Sequence, residues 1–127
     1  MQELNIRNYA HIGDAVYEVF VREKVILLTS NSNKLHKYTV KFVNAQFQTN
    51  LLETMQEFLS EEEKDLVRRA RNISTSSARR INHTLHRQAT ALEVLFGYNY
   101  IHNKNRYSEL LKIVEDKIDF KQEVNNI

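Results

Sequence analysis

Apolar residues recur along this chain at helical spacing, not at the alternating spacing of strands. From Leu4 to Leu28, the positions Ile6, Tyr9, Ile12, Val16, Val19 and Phe20 fall on one arc at about 100° per residue, which predicts a first helix. Thr29–Asn33 (TSNSN) predicts a loop that also supplies an N-cap, and a second helix follows from Lys34 to Phe58. Ser60-Glu61-Glu62-Glu63 is a capping box, with a Ser hydroxyl for orphan N–H groups and a Glu three residues on. It opens a short helix to about Arg71. Asn72–Ala78 (NISTSSA) reads as a polar loop, Asn82–Ile101 as a helix, and His102–Asn105 (HNKN) as a turn. A last amphipathic helix reaches about Phe120, and Lys121–Ile127 reads as a frayed tail. The pattern predicts an all-α fold with short connections, in a single domain over residues 1–127.

Composition sharpens this picture. Proline is absent and glycine occurs only at Gly13 and Gly97, which favours long helices over turn-rich sheets. Without cysteine there is no disulfide and no thiolate zinc site. The N-terminus has no apolar signal core, and no stretch of 18 apolar residues predicts a membrane span, so a cytoplasmic protein is expected. The net charge is only +2, but it is unevenly spread. Leu66–Leu92 contains six arginines and no acid, and Lys24–Leu52 contains four lysines and no acid. Such sorting presents a basic face to a polyanion, unless these charges fold back onto the acidic segments as surface pairs.

Two acids stand out as candidate chemistry. Ala89–Ile101 (ATALEVLFGYNYI) carries Glu93 as its single charge, so this helix should be buried with a carboxylate inside it. A buried carboxylate is costly unless it is paired, protonated or bound to a metal. An arginine partner or a capped backbone group would serve as well as an ion. Gly97, one turn on, leaves room on that face for another helix, a ligand or an ion. Asp14 lies at the edge of the first apolar arc, with Arg7, His11 and Glu18 on the same polar side. The adjacent Gly13 costs about 1 kcal/mol of helix propensity relative to Ala, which suggests a close approach there. A solvated polar face is the alternative for Asp14. Two carboxylates from two helices are able to converge on Mg²⁺, a hard cation that prefers oxygen. His83 and His86 have no third strong ligand in register, and two glycines cannot build a phosphate loop, so no nucleotide cofactor is expected.

Four short runs resemble the ribonuclease III family. Ile12–Val16 (IGDAV) followed by Glu18 is similar to the signature helix of its endonuclease domain. Ala91–Tyr100 (ALEVLFGYNY) is similar to that domain's second acidic helix. Lys34–Lys37 (KLHK) and Arg69–Asn72 (RARN) resemble motifs of the short branch, Mini-ribonuclease III, which lacks an appended double-stranded-RNA-binding domain. The resemblance runs from about Asn8 to Tyr107. It implies a ribonuclease III endonuclease-domain-like helical bundle and an obligate homodimer. It also implies Mg²⁺-dependent cleavage of double-stranded RNA to 5′-phosphate products, in maturation of large-subunit (23S) ribosomal RNA. Asp14 and Glu93 match the family's invariant aspartate and glutamate and are carried over as catalytic metal ligands. Lys34, Lys37, Arg68, Arg69, Arg71, Arg79 and Arg80 are the expected phosphate contacts. Ala10 and Thr90 stand where full-length members carry further acids, a reduction the short branch shares, and Ala70 stands where a glycine is expected. Glu18 either orients a metal-bound water or is a surface acid. The competing readings are a non-catalytic double-stranded-RNA-binding module on the same fold and a helical adaptor.

Overall fold

The computed structural model describes residues 2–73 and 83–127. Helix α1 spans Ile6–Val25, with the Asn5 side chain accepting from Arg7 N at 2.9 Å. Helix α2, Ser32–Val43, is capped by Asn31 from the predicted loop. Here the structure departs from the single helix expected over Lys34–Phe58. It breaks at Asn44, and α3 follows as Ala45–Met55, with a 3₁₀ turn at Gln56–Phe58. The cause is local. Asn44 adopts an extended backbone at φ −72° and ψ 160°. Its side-chain amide donates to Val40 O and Lys41 O, and its Oδ1 accepts from Phe47 N. One side chain thus closes α2 and opens α3.

Helix α4, Glu61–Arg71, begins with both halves of the predicted capping box in place: Ser60 Oγ accepts from Glu63 N, and Glu63 accepts from Ser60 N. Helices α5, His83–His102, and α6, Lys104–Lys117, meet at a tight turn capped by Asn103. The tail expected to fray instead forms α7, Phe120–Val124. Val124 is buried, and Phe120 packs its ring on Phe20 and Phe42. Of the predicted loop at Asn72–Ala78, residues 74–78 lie outside the described residues, as do Arg79, Arg80 and the predicted helix start at Asn82.

Helix α5 is the centre of the molecule and packs on α1, α3, α4 and α6, most extensively on α1. Ala91, Leu92, Val94, Leu95 and Phe96 have no exposed surface, as expected for a helix that is apolar on nearly every side. On α1 the buried face runs through Tyr9, Gly13, Tyr17, Phe20, Val21 and Val25. Val19, assigned to the apolar arc by spacing, is 57% exposed. The stripe is rotated because α1 seats on α5 at a glycine, which adds no apolar signal.

Some of the basic residues do fold back onto acids. Lys24 pairs with Glu115, Lys41 with Glu123 at 3.6 Å, and Arg69 with Glu3 at 3.8 Å. Exposed pairs of this kind contribute little stability. A different cluster ties α4, the 3₁₀ turn, α5 and α6 together. Arg106 donates to both Glu63 oxygens at 2.8 and 3.0 Å and to Phe58 O at 2.7 Å. Asn99 completes it from α5. Burial alone would raise the Glu63 pKa, but hydrogen bonds from Arg106 and Ser60 outweigh burial and hold it below its ordinary value. Among the described residues, no helix is long and apolar enough to cross a membrane.

Candidate active site

The two glycines of the chain meet at the crossing of α1 and α5. A Cβ placed on Gly13 would lie 1.7 Å from the Glu93 carbonyl oxygen, and one on Gly97 would lie 1.9 Å from the Tyr9 carbonyl oxygen. Each helix therefore rests a glycine directly on the other's backbone. No other residue type permits this separation. The contact explains the costly Gly13, and it fills the room left at Gly97 with another helix. It also delivers Asp14, the next residue on α1, to Glu93 on α5.

The two carboxyl groups approach within hydrogen-bonding range of each other. Asp14 is on the exposed side of α1, while Glu93 is mostly buried. Burial, followed by the neighbouring Asp14, pushes the Glu93 pKa up to about 8, and a contact from Gln48 opposes them. The metal-free pair thus holds a proton at neutral pH. Both acids line one cleft of about 330 Å³, together with Arg7, His11, Ala10 and Thr90. Ala10 and Thr90, the positions of the missing family acids, thus face the site with a methyl and a hydroxyl-bearing side chain. Among the described residues no group of three or more His, Cys, Asp or Glu is placed to hold a metal ion, and Asp14 and Glu93 are the two acids of this cleft.

Behind Glu93 lies a polar floor built by the α2–α3 junction. The carbonyls ending α2 lack helical partners. Tyr17 donates its hydroxyl to Phe42 O at 2.6 Å, and Gln48 donates Nε2 to Val43 O at 2.8 Å. Burial raises the Tyr17 pKa, and the charge of Glu93 adds to this, so the hydroxyl stays protonated. Sequence reasoning did not single out Gln48. Its signal was legible nonetheless, since Gln48 falls in the apolar stripe with Leu51, Leu52 and Met55, at spacings of three, four and seven.

The predicted phosphate contacts separate into groups. Arg68 and Arg71 line a second cleft of about 300 Å³ with Asn72, Thr84, Arg87 and Gln88. The two clefts are lined by neighbours in sequence, Asn72 and Ile73 after α4 and Gln88 and Thr90 on α5. Arg69 pairs with Asp65 at 3.0 Å, and Arg68 pairs with the same carboxylate, which these two arginines hold below its ordinary pKa. Lys34 and Lys37 are exposed on α2 and line neither cleft. Arg79 and Arg80 lie outside the described residues. Glu18 forms an exposed pair with Arg22 at 2.9 Å and does not line the cleft, as the surface-acid reading requires.

Comparison with known proteins matches this arrangement. The model of the ribonuclease III domain matches residues 7–104, a span that holds both carboxylates and both glycines. A Mini-ribonuclease 3 from Clostridium tetani is 38% identical over 118 residues, covering 90% of this chain and 78% of that protein. One from Thermoanaerobacter is 40% identical over 108 residues, covering 84% of this chain and 75% of that protein. A crystal structure of a protein from Fusobacterium nucleatum superposes with a TM-score of 0.78 at 29% identity, covering 91% of this chain and 95% of the other. With the α1–α5 crossing, the paired acids and these relatives in agreement, the chain belongs to the ribonuclease III family of endoribonucleases.

Proposed function

We propose that this chain cuts double-stranded RNA in an Mg²⁺-dependent reaction, acting in the cytoplasm as a homodimer on a precursor of 23S ribosomal RNA. The observation that carries this reading is the meeting of Asp14 and Glu93 at the glycine crossing. The donor set fits the ion. Mg²⁺ takes one or two carboxylates and keeps several waters, and the cleft offers two carboxylates and space beside them. Bound there, Mg²⁺ supplies a Lewis acid that lowers the pKa of a water and offsets charge developing on the phosphate.

The chain's own residues do the rest. Asp14 and Glu93 present oxygens from two rigid helices, so their spacing is set by the backbone contact and not by flexible side chains. Glu93 must ionise to ligate, and a cation offsets the burial and like-charge cost that otherwise keep it protonated. Arg68, Arg71 and Arg87 in the neighbouring cleft are suited to phosphates of the same duplex. Lys34, Lys37, Arg79 and Arg80 add positive charge for the same polyanion. A-form RNA offers its backbone and 2′-hydroxyls more readily than its base edges, so recognition reads shape. The exposed apolar side chains Val19, Ile26 and Leu27, along and just past α1, support self-association. A two-fold dimer then places one site on each strand.

The test is incubation of the purified protein with duplex RNA, with and without Mg²⁺, beside Asp14→Asn. Metal-dependent cutting that yields 5′-phosphate ends and is lost in the variant supports the proposal. Duplex binding without cutting would establish the non-catalytic module instead, and no binding at all would point to the helical adaptor.

A further inference from the structure

Gln48 is a buried polar group that the paired acids do not account for. It is 3% exposed, on α3, in contact with the Glu93 carboxyl. Its orientation is fixed without ambiguity. Val43 O can only accept, so the amide nitrogen must face it, and the 2.8 Å bond holds it there. That leaves Oε1 turned the other way, buried and without any hydrogen-bond partner. A buried acceptor left unpaired is costly, and such an atom in a native fold requires an explanation. No packing demand accounts for it, because a leucine would continue the apolar stripe of Leu51, Leu52 and Met55 with no orphan atom.

We propose that Gln48 is a positioning residue for the cation site, its amide clamped by Val43 O so that it holds the Glu93 carboxylate toward Asp14 and offers Oε1 to a water in the ion's shell. This rests on the metal-site reading given above. A site with only two carboxylates leaves most of the coordination of Mg²⁺ to water, and those waters need acceptors for their protons. Oε1 is a free acceptor of this kind on the residue that touches Glu93. The amide's second N–H is available to the ionised Glu93, which gains a donor in a setting where its charge is otherwise poorly solvated.

The experiment is a titration of the metal-free protein with Mn²⁺, followed calorimetrically and by the loss of the free-ion electron paramagnetic resonance signal. Wild type is compared with Gln48→Leu, Gln48→Asn and Thr49→Val. Gln48→Leu keeps the volume and removes the amide. Gln48→Asn keeps the amide but is too short to span Val43 and Glu93 together, and it guards against misfolding of the leucine variant. Thr49→Val removes a neighbouring bond to Leu85 O on the same α3–α5 seam without touching Glu93. Both Gln48 variants are expected to bind Mn²⁺ about 10- to 100-fold more weakly, and Thr49→Val as wild type does. A folded Gln48→Leu or Gln48→Asn that keeps its Mn²⁺ affinity within about twofold overturns the proposal and leaves the carboxylate site standing. A matching loss in Thr49→Val overturns it too, because the effect would then be one of packing. Wild-type protein that takes up no Mn²⁺ overturns both this inference and the metal-site reading.

Discussion

Without a bound cation, the protein is expected to lose stability as pH rises through the neutral range, and Glu93→Gln is expected to remove that loss. A free glutamate ionises near 4.5, whereas Glu93 holds its proton up to about 8. Between those values the unfolded chain has released a proton that the folded chain keeps. The contribution of Glu93 is therefore most favourable below the unfolded value, declines through the interval, and levels off above about 8. Each pH unit spent in that interval costs about 1.4 kcal/mol, so a rise from about pH 5 to about pH 7 costs between about 2 and 3 kcal/mol. In a chain of this length that corresponds to a fall of about 10 °C in Tm. Glu63 and Asp65 titrate below this window, because both are held under their ordinary values by arginines, so they do not mask the effect. The assay is urea unfolding of wild type and Glu93→Gln from about pH 5 to about pH 8, in chelator and at one protein concentration. The quantity of interest is the difference between the two proteins at each pH. Saturating Mg²⁺ should restore the wild type most at the alkaline end and leave the variant unchanged. A wild-type-minus-variant difference that stays flat across the range would refute the reasoning.

Three further outcomes follow from the packing. Gly13→Ala and Gly97→Ala each put a Cβ under 2 Å from a carbonyl oxygen of the facing helix, so α1 and α5 must separate. Each is expected to cost about 1–3 kcal/mol in urea unfolding and to abolish RNA cleavage even where the protein stays folded. Arg106→Ala leaves Glu63 buried without its partner and should cost about 3 kcal/mol, with cleavage retained at low temperature, because the cluster lies away from the carboxylate cleft. Asn44→Ala removes the side chain that closes α2 and opens α3, and should lower stability by about 1–2 kcal/mol in the same unfolding assay.

Much of the site could be read before any coordinates, because its signals are local. Glu93 announced itself as the single charge in a helix that is apolar on nearly every side, and Gly13 and Gly97 as the only glycines of a helical chain. Gln48 was equally local as a pattern, a polar residue in an apolar stripe, but the pattern alone does not say what a buried amide faces. That depends on Val43 O and Glu93, which come from a helix end and from a different helix. The lysines of α2 illustrate the reverse. Their run resembles a motif of the family, yet the fold of this chain keeps Lys34 and Lys37 out of both clefts.

Caps and periodicity act within one turn of helix, so the sequence by itself determined an all-α chain, the Ser60 capping box and the burial of α5 around Glu93, while the choice of Asp14 as its partner came with the family resemblance. Contacts between distant segments decided the remainder. The break at Asn44 was chosen by a side chain that could equally have faced solvent within a continuous helix. The tail became α7 because Phe20 and Phe42 offered Phe120 an aromatic pocket. The rotation of α1 that buries Gly13 and exposes Val19 was set by its backbone contact with α5. Hydrophobic spacing reports that a helix has a buried face, but only the partner helix fixes which residues lie on it, and here that choice brings Asp14 to Glu93.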